Sequence, residues 1–361
     1  MDMQRKFAKG LVLILLLLVI ATLGATIAFA EASIDDMQIA NSVPTVATLP
    51  PVSIYISSSV SGQVDDVRYR NEDILRYDYG TDSWSLFFDG SDCGLGGVDI
   101  EGFDFTPPDI DGVSYLVMAF DKPIRIPGLG RIDDSDIVRY LGDCKFEKFF
   151  DGSKYGLTLD SENINAIGFM PDGRMVLSTN GPTSVKGHAT GTFKGRGQDM
   201  WIFDFSTELF TFFFDGSDVD LTKRTEIIDG VWVDDVEGHD PNLYLGTFVD
   251  FTAVGSTSSV SGDTDDIFGC YPLALGDTTD CYFFPFFDND AARFPTSMDD
   301  FYIDFVGLQT VTVASQPHAI ADYLVEEEPE FEGYDPGGED VFIDETEISE
   351  VDVSIYLPMI T

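Results

Sequence analysis

The triplet Phe-Phe-Asp recurs four times in this 361-residue chain, as FFDGSD from Phe87, FFDGSK from Phe149, FFDGSD from Phe213 and FFDND from Phe286, at intervals of 62, 64 and 73 residues. A second marker keeps step with it: EDILRY around Asp73, SDIVRY around Asp136, QDMWIF around Asp199 and DDIFGCY around Asp266, spaced by 63, 63 and 67. A third follows each triplet: DIEGFDF from Asp99, NINAIGF from Asn163, IIDGVWV from Ile227 and DDFYIDF from Asp299. Three markers in register four times define one unit copied along the chain, and such a unit buries its apolar face only by stacking on its neighbours.

The clearest copy reads INAIGFM, a Pro171-Asp172-Gly173 turn, RMVLST, a long polar stretch, DMWIFDF and ELFTFFFDG. Short apolar runs bounded by turn residues, with no 3.6-residue periodicity, are strands. Proline fixes one dihedral of the turn and glycine tolerates its tight reversal. Four antiparallel strands per unit describe a propeller blade.

If the third marker is the innermost strand, the chain enters its first blade one strand short, at VSIYISS (52–58), and leaves with one strand over, at DFYIDFV (300–306). Pairing of these segments closes a ring and removes the long exposed edge that would otherwise template other chains. The expectation is an all-β, four-bladed β-propeller over residues 52–306, closed by its N- and C-terminal repeat strands. A pair of β-sandwiches or an open repeat uses the same strands without that closing pair.

Residues 1–30 have a basic start (Arg5, Lys6, Lys9), a long apolar run and Ala28-Phe29-Ala30 before Glu31, the pattern of an export signal with a small-residue cleavage site. The run also has the length of an uncleaved anchor. Residues 31–51 read as a short linker. From 307 to 352 the chain reads as a flexible acidic tail: 13 acids lie between Glu326 and Asp352, and no Lys or Arg follows Arg293. Residues 353–361 form a short apolar β-prone segment able to dock or to extend another sheet.

The chain holds 64 acids and 20 bases, a net charge of -44, and loss of residues 1–30 leaves 63 against 17. That balance excludes an unaided nucleic-acid binder, which must neutralise phosphates. With 44% hydrophobic and 13% aromatic residues the chain still fills a sizeable core.

Asp89, Asp92, Asp151, Asp215, Asp218, Asp288 and Asp290, in and after the aromatic triplets, are candidate Ca²⁺ ligands, since the ion takes carboxylate and carbonyl oxygens. None fits an EF-hand loop, and an Asp-Gly-Ser sequence also makes a turn in which Asp accepts a backbone N–H. The paired phenylalanines read as packing between blades rather than as a sugar platform. The connections between second and third strands, residues 59–72, 121–135, 180–198 and 249–265, read as long loops on the face that also receives the aspartates.

Four cysteines suit an oxidising compartment. Cys270 and Cys281 bracket one hairpin and are expected to bridge; Cys93 and Cys144 lie in neighbouring units and form the second candidate pair. Their spacing is not that of a zinc site. His188, His239 and His318 occupy unrelated repeat positions, and no nucleophile elbow, zinc helix or phosphate loop is present.

The FFDGSD units with their EDILRY partners resemble repeats of poorly characterised secreted proteins of filamentous Chloroflexi-type bacteria, and the terminal IYLPMI resembles their short YLPL-like ending. The resemblance implies export and β architecture, and carries no catalytic residue with it. The function expected is a non-enzymatic, secreted or surface-associated scaffold for recognition of an extracellular protein or glycan, or for envelope structure. Membrane association would come only through an uncleaved N-terminus or envelope attachment. The competing reading is a polysaccharide-active or other hydrolase, which requires a few carboxylates converging at the loop-rich end of the channel.

Overall fold

The structure is a computed structural model that describes residues 52–187, 191–234, 241–295 and 297–305. The signal, linker, acidic tail and terminal apolar segment expected from the sequence lie outside the described residues. No helix among the described residues is long and apolar enough to cross a membrane.

Four four-stranded antiparallel blades form a β-propeller. The first blade contains β1 (Ser53–Ser58), β4 (Ile74–Asp78) and β5 (Ser83–Phe88), with β2 (Gly62–Val64) and β3 (Val67–Tyr69) as a small hairpin between its second and third strands. The second contains β6 (Ile100–Phe105), β7 (Leu116–Phe120), β10 (Ile137–Tyr140) and β11 (Phe146–Phe150), with hairpin β8 (Ile124–Ile126) and β9 (Gly130–Ile132). The third contains β12 (Ile164–Phe169), β13 (Met175–Thr179), β16 (Met200–Asp204) and β17 (Leu209–Phe214), and its hairpin, β14 (Thr183–Gly187) and β15 (Gly191–Gly195), joins the sheet edge. The fourth contains β18 (Ile228–Asp234), β19 (Asn242–Thr247), β22 (Ile267–Ala274) and β23 (Asp280–Phe287), with hairpin β20 (Phe251–Val254) and β21 (Ser259–Gly262).

The last strand, β24 (Met298–Asp304), crosses back to complete the first blade. It pairs antiparallel with β1 in the register Ser53 to Asp304, Ile54 to Ile303, Tyr55 to Tyr302 and Ile56 to Phe301. The ring therefore closes as the strand count requires.

The long connections are not open loops. Each folds into a hairpin whose apolar side is buried: Val64 and Tyr69, Ile126 and Ile132, Val185, and Phe251 with Val260. The physical reason lies in the blade number. With so few blades, neighbouring sheets diverge steeply toward the rim, and the wedge between them must be filled to interior density. Each of the four hydrophobic clusters fills one wedge, combining the exit of one blade with the inner strands and hairpin of the next.

The repeated phenylalanines serve this purpose. Phe88, Phe150, Phe214 and Phe287 are all buried, and Phe88 meets Tyr140 of the next blade edge-on at 5.3 Å between centroids. Trp84 donates its indole N–H to the Ala292 carbonyl at 2.8 Å, across the wedge that closes the ring.

Candidate functional site

The seven aspartates expected as metal ligands are spread around the rim, in the turns that leave each blade. Asp89 Oδ1 accepts from the Ser91 hydroxyl at 2.6 Å and the Asp92 N–H at 3.2 Å. Asp151 does the same for Ser153 and the Lys154 N–H, and Asp215 for both groups of Ser217. Asp288 accepts from the Ala291 N–H at 3.0 Å, while Asp218 reaches the Thr279 N–H at 2.9 Å. Asp92 and Asp290 are exposed in the same turns. Among the described residues no group of three His, Cys, Asp or Glu side chains is placed to hold a metal ion.

The aspartates of the second marker explain why the two motifs stay in step. One oxygen of Asp73, Asp136, Asp199 and Asp266 accepts the N–H three residues earlier, at 2.8, 2.9, 2.8 and 3.1 Å. In the first three blades the other oxygen accepts the N–H of the motif glycine, Gly90, Gly152 or Gly216, at 3.0, 3.2 and 3.1 Å. Glycine is required there because a Cβ on Gly90, Gly152 or Gly216 would overlap the carbonyl of Glu72, Ser135 or Gln198. Burial pushes the carboxyls of Asp73 and Asp199 up to about 6.

A second repeated contact clips neighbouring blades together, with different chemistry at each junction. The exit turn of one blade meets the outer hairpin turn of the next. Between the first and second blades this contact is the Cys93–Cys144 disulfide. Between the second and third, Lys154 lies 2.8 Å from Glu208. Asp215 and Asp218 bond Thr279 between the third and fourth, and Arg293 spans Asp82 and Asp65 between the fourth and first. The other disulfide, Cys270–Cys281, staples β22 to β23 within the fourth blade.

Sequence reasoning missed the axis. Each inner strand begins with a bulge: the pairing register slips between Ile100 and Gly102, Ile164 and Ala166, and Ile228 and Gly230, and where β24 meets β1 it slips between Ile56 and Ser58. A bulge leaves an extra residue and turns backbone groups out of the ladder. The freed N–H groups of Phe103, Ile167, Val231 and Phe301 all converge on one side chain, the carboxylate of Asp300, at 2.8, 3.3, 3.2 and 2.8 Å. Asp300 is fully buried, and one N–H reaches it from each of the four inner strands. Burial raises its carboxyl well above the ordinary range, and the N–H bonds from Phe103, Phe301 and Ile167 oppose that rise. The equivalent positions in the other blades are Gly102, Ala166 and Gly230, small enough to leave room for a single carboxylate.

The bulged residues themselves are Glu101, Asn165, Asp229 and Asp299, one polar side chain per blade at the loop-side end of the axis. Asn165 donates to the Ile228 carbonyl at 3.1 Å. Asp299 faces Asp99, Glu101 and Asp229, and its side chain meets that of Asp99. Burial pushes Asp99 up to about 7 and Glu101 up to about 8, and lifts Asp229 and Asp299 well above the ordinary range, with neighbouring carboxylates adding to each rise. Neither oxygen of buried Asp229 meets a donor from another residue, nor do Asp99 Oδ1 and Asp299 Oδ2. The available signal was a polar residue at the second position of each buried inner strand, repeated in every unit.

At the opposite end of the axis a shallow recess of about 410 Å³ lies between the second and third blades, where Arg139 sits 4.8 Å from the Tyr115 ring centre.

No family model matches this sequence, and no curated protein matches it. Among solved structures it is similar to one described as YCF48 bound to D1 peptide, at 13% identity and a TM-score of 0.26, over 60% of this chain and 59% of that one. The propeller assignment rests on this chain's own strand pairing.

Proposed function

We propose that this chain is an exported, non-enzymatic propeller scaffold that presents a rigid face for recognition outside the cytoplasm. The observation that carries the reading is where the repeated polar groups are used. The second-marker aspartates bind blade exits, the turn aspartates bind their own turns, and the junction groups clip blades together, so the repeat maintains a frame. Two disulfides point to an oxidising environment. The ligand class is an extracellular protein or glycan.

The test is secretion of the full chain followed by binding of the mature protein to glycan and extracellular-protein arrays. Saturable binding to one class supports the reading. Retention in the cytoplasm in folded, thiol-reduced form overturns it.

One observation favours hydrolysis as a second reading: Asp99, Glu101, Asp229 and Asp299 converge at the loop-side mouth, and raised carboxyls serve as general acids. Against it, Asp99, Asp229 and Asp299 are 8%, 3% and 5% exposed, leaving Glu101 as the half-buried member. Polysaccharide cleavage that Glu101→Gln abolishes without altering thermal unfolding would establish this reading in place of the first.

A further inference from the structure

The carboxyl cluster at the loop-side mouth lies across the seam where the ring closes. β24 is the inner strand that reaches its blade from the far end of the repeat region, and its Asp299 stands between two neighbours. Asp99, just ahead of β6, and Glu101, within it, belong to the second blade, and Asp229 to β18 in the fourth.

The charges around the cluster offer little compensation. Asp121, at the end of β7, accepts the Asp99 N–H at 2.7 Å and is paired at 3.2 Å with exposed Lys122. Glu72 ahead of β4 contributes another carboxylate, held 3.9 Å from exposed Arg70. Asp300 lies deeper and Asp104 acts on it, while β12 presents the neutral Asn165. Four buried carboxylate oxygens, two of Asp229 and one each of Asp99 and Asp299, lack donors. Two carboxyls that meet side by side share a hydrogen bond only if one carries a proton, and ionising both brings like charges together in a poorly solvated place.

We propose that this cluster makes the closing seam proton-operated: protonated, the carboxyls hold β24 to β6 and β18, and ionised, they repel one another and loosen it. An acid held above its ordinary range contributes stability that is complete below that range and lost as pH rises through the folded value. For Asp99 at about 7 and Glu101 at about 8, the loss runs from roughly pH 4 to pH 8. The propeller is therefore tightest in mildly acidic surroundings. Its weakest point at alkaline pH is where the closing strand β24 meets β6 and β18 at the axis, rather than a blade interior.

Hydrogen exchange of the full chain at pH 5 and pH 8, corrected for intrinsic rates, tests this. Segments Ser53–Ser58 and Met298–Asp304 should lose protection by about tenfold or more at pH 8, the ratio that one unit of pKa shift represents, relative to β16 and β17. In the double variant Asp99→Asn with Asp299→Asn, the difference should shrink to about twofold or less. If that variant does not fold, Glu101→Gln should reduce the difference in the same direction. Equal loss of protection in all blades, or an unchanged seam response in the folded variant, would overturn the proposal.

Discussion

Aspartates at the rim and at the axis of this propeller are the same residue in opposite circumstances. Asp89, Asp151 and Asp215 are bonded within their own turns, each by residues two or three positions ahead, and three blades repeat the device. Asp300 accepts from four strands drawn from the whole chain, and the corresponding positions of the other blades hold Gly or Ala. A local bond can be copied with its repeat. An axial group acts for all repeats at once, and a second copy would occupy the same space.

Removing the axial group should therefore have the largest effect. Asp300→Ala leaves four buried N–H groups without an acceptor. At about 1–3 kcal/mol for each, a loss on the order of 4 kcal/mol or more is expected in urea denaturation. A loss below about 1 kcal/mol would mean that the inner strands do not depend on that carboxylate.

The disulfides sharpen the contrast between holding blades together and holding one blade together. Cys93–Cys144 closes a separation of 51 residues, and Cys270–Cys281 one of 11. On loop-closure entropy the first should stabilise by about 1.4 kcal/mol more than the second. Denaturation of the Cys93→Ser/Cys144→Ser and Cys270→Ser/Cys281→Ser proteins checks the order, and a reversed order would place the greater constraint within the fourth blade.

A smaller effect separates two kinds of repeated aspartate. Asp199→Ala orphans the N–H groups of Arg196 and Gly216 and should cost about 2–3 kcal/mol, whereas Asp89→Ala removes a partly exposed turn cap and should cost about 1 kcal/mol. Equal costs would erase the distinction between a contact joining two strands and one confined to a turn. Least of all, Lys154→Ala should leave the thermal midpoint unchanged, because the Lys154–Glu208 clip is solvent-exposed.

Much of this architecture is legible in the sequence because repetition reports sameness. The four units, their strands and the closing pair follow from three markers and a count. The Cys93–Cys144 bridge follows less directly: Cys93 comes right after FFDGSD and Cys144 lies in the turn between third and fourth strands, but that these turns meet at every junction is visible only in the fold. The hairpins between second and third strands look like loops in the sequence. Their strands are three to five residues long, too brief to show a period.

The axis escaped for the reverse reason. Asp300 departs from the repeat instead of obeying it, and an exception in an aligned position looks like drift until the strands converge. The Glu101, Asn165, Asp229 and Asp299 positions were repeated, yet abundant acids elsewhere obscured a carboxylate that interrupts a buried strand.

The closing strand also fixes where the chain enters and leaves the propeller. Val52 donates its N–H to the Asp304 carbonyl at 2.6 Å, so the chain enters and leaves the blades at one spot, at the end of β1 and β24 opposite the carboxyl mouth. Any attachment made through either flank then grips the same pole of the molecule. The hairpin-bearing pole lies at the other end of these strands, so it is the face left clear of both points where the chain joins the blades.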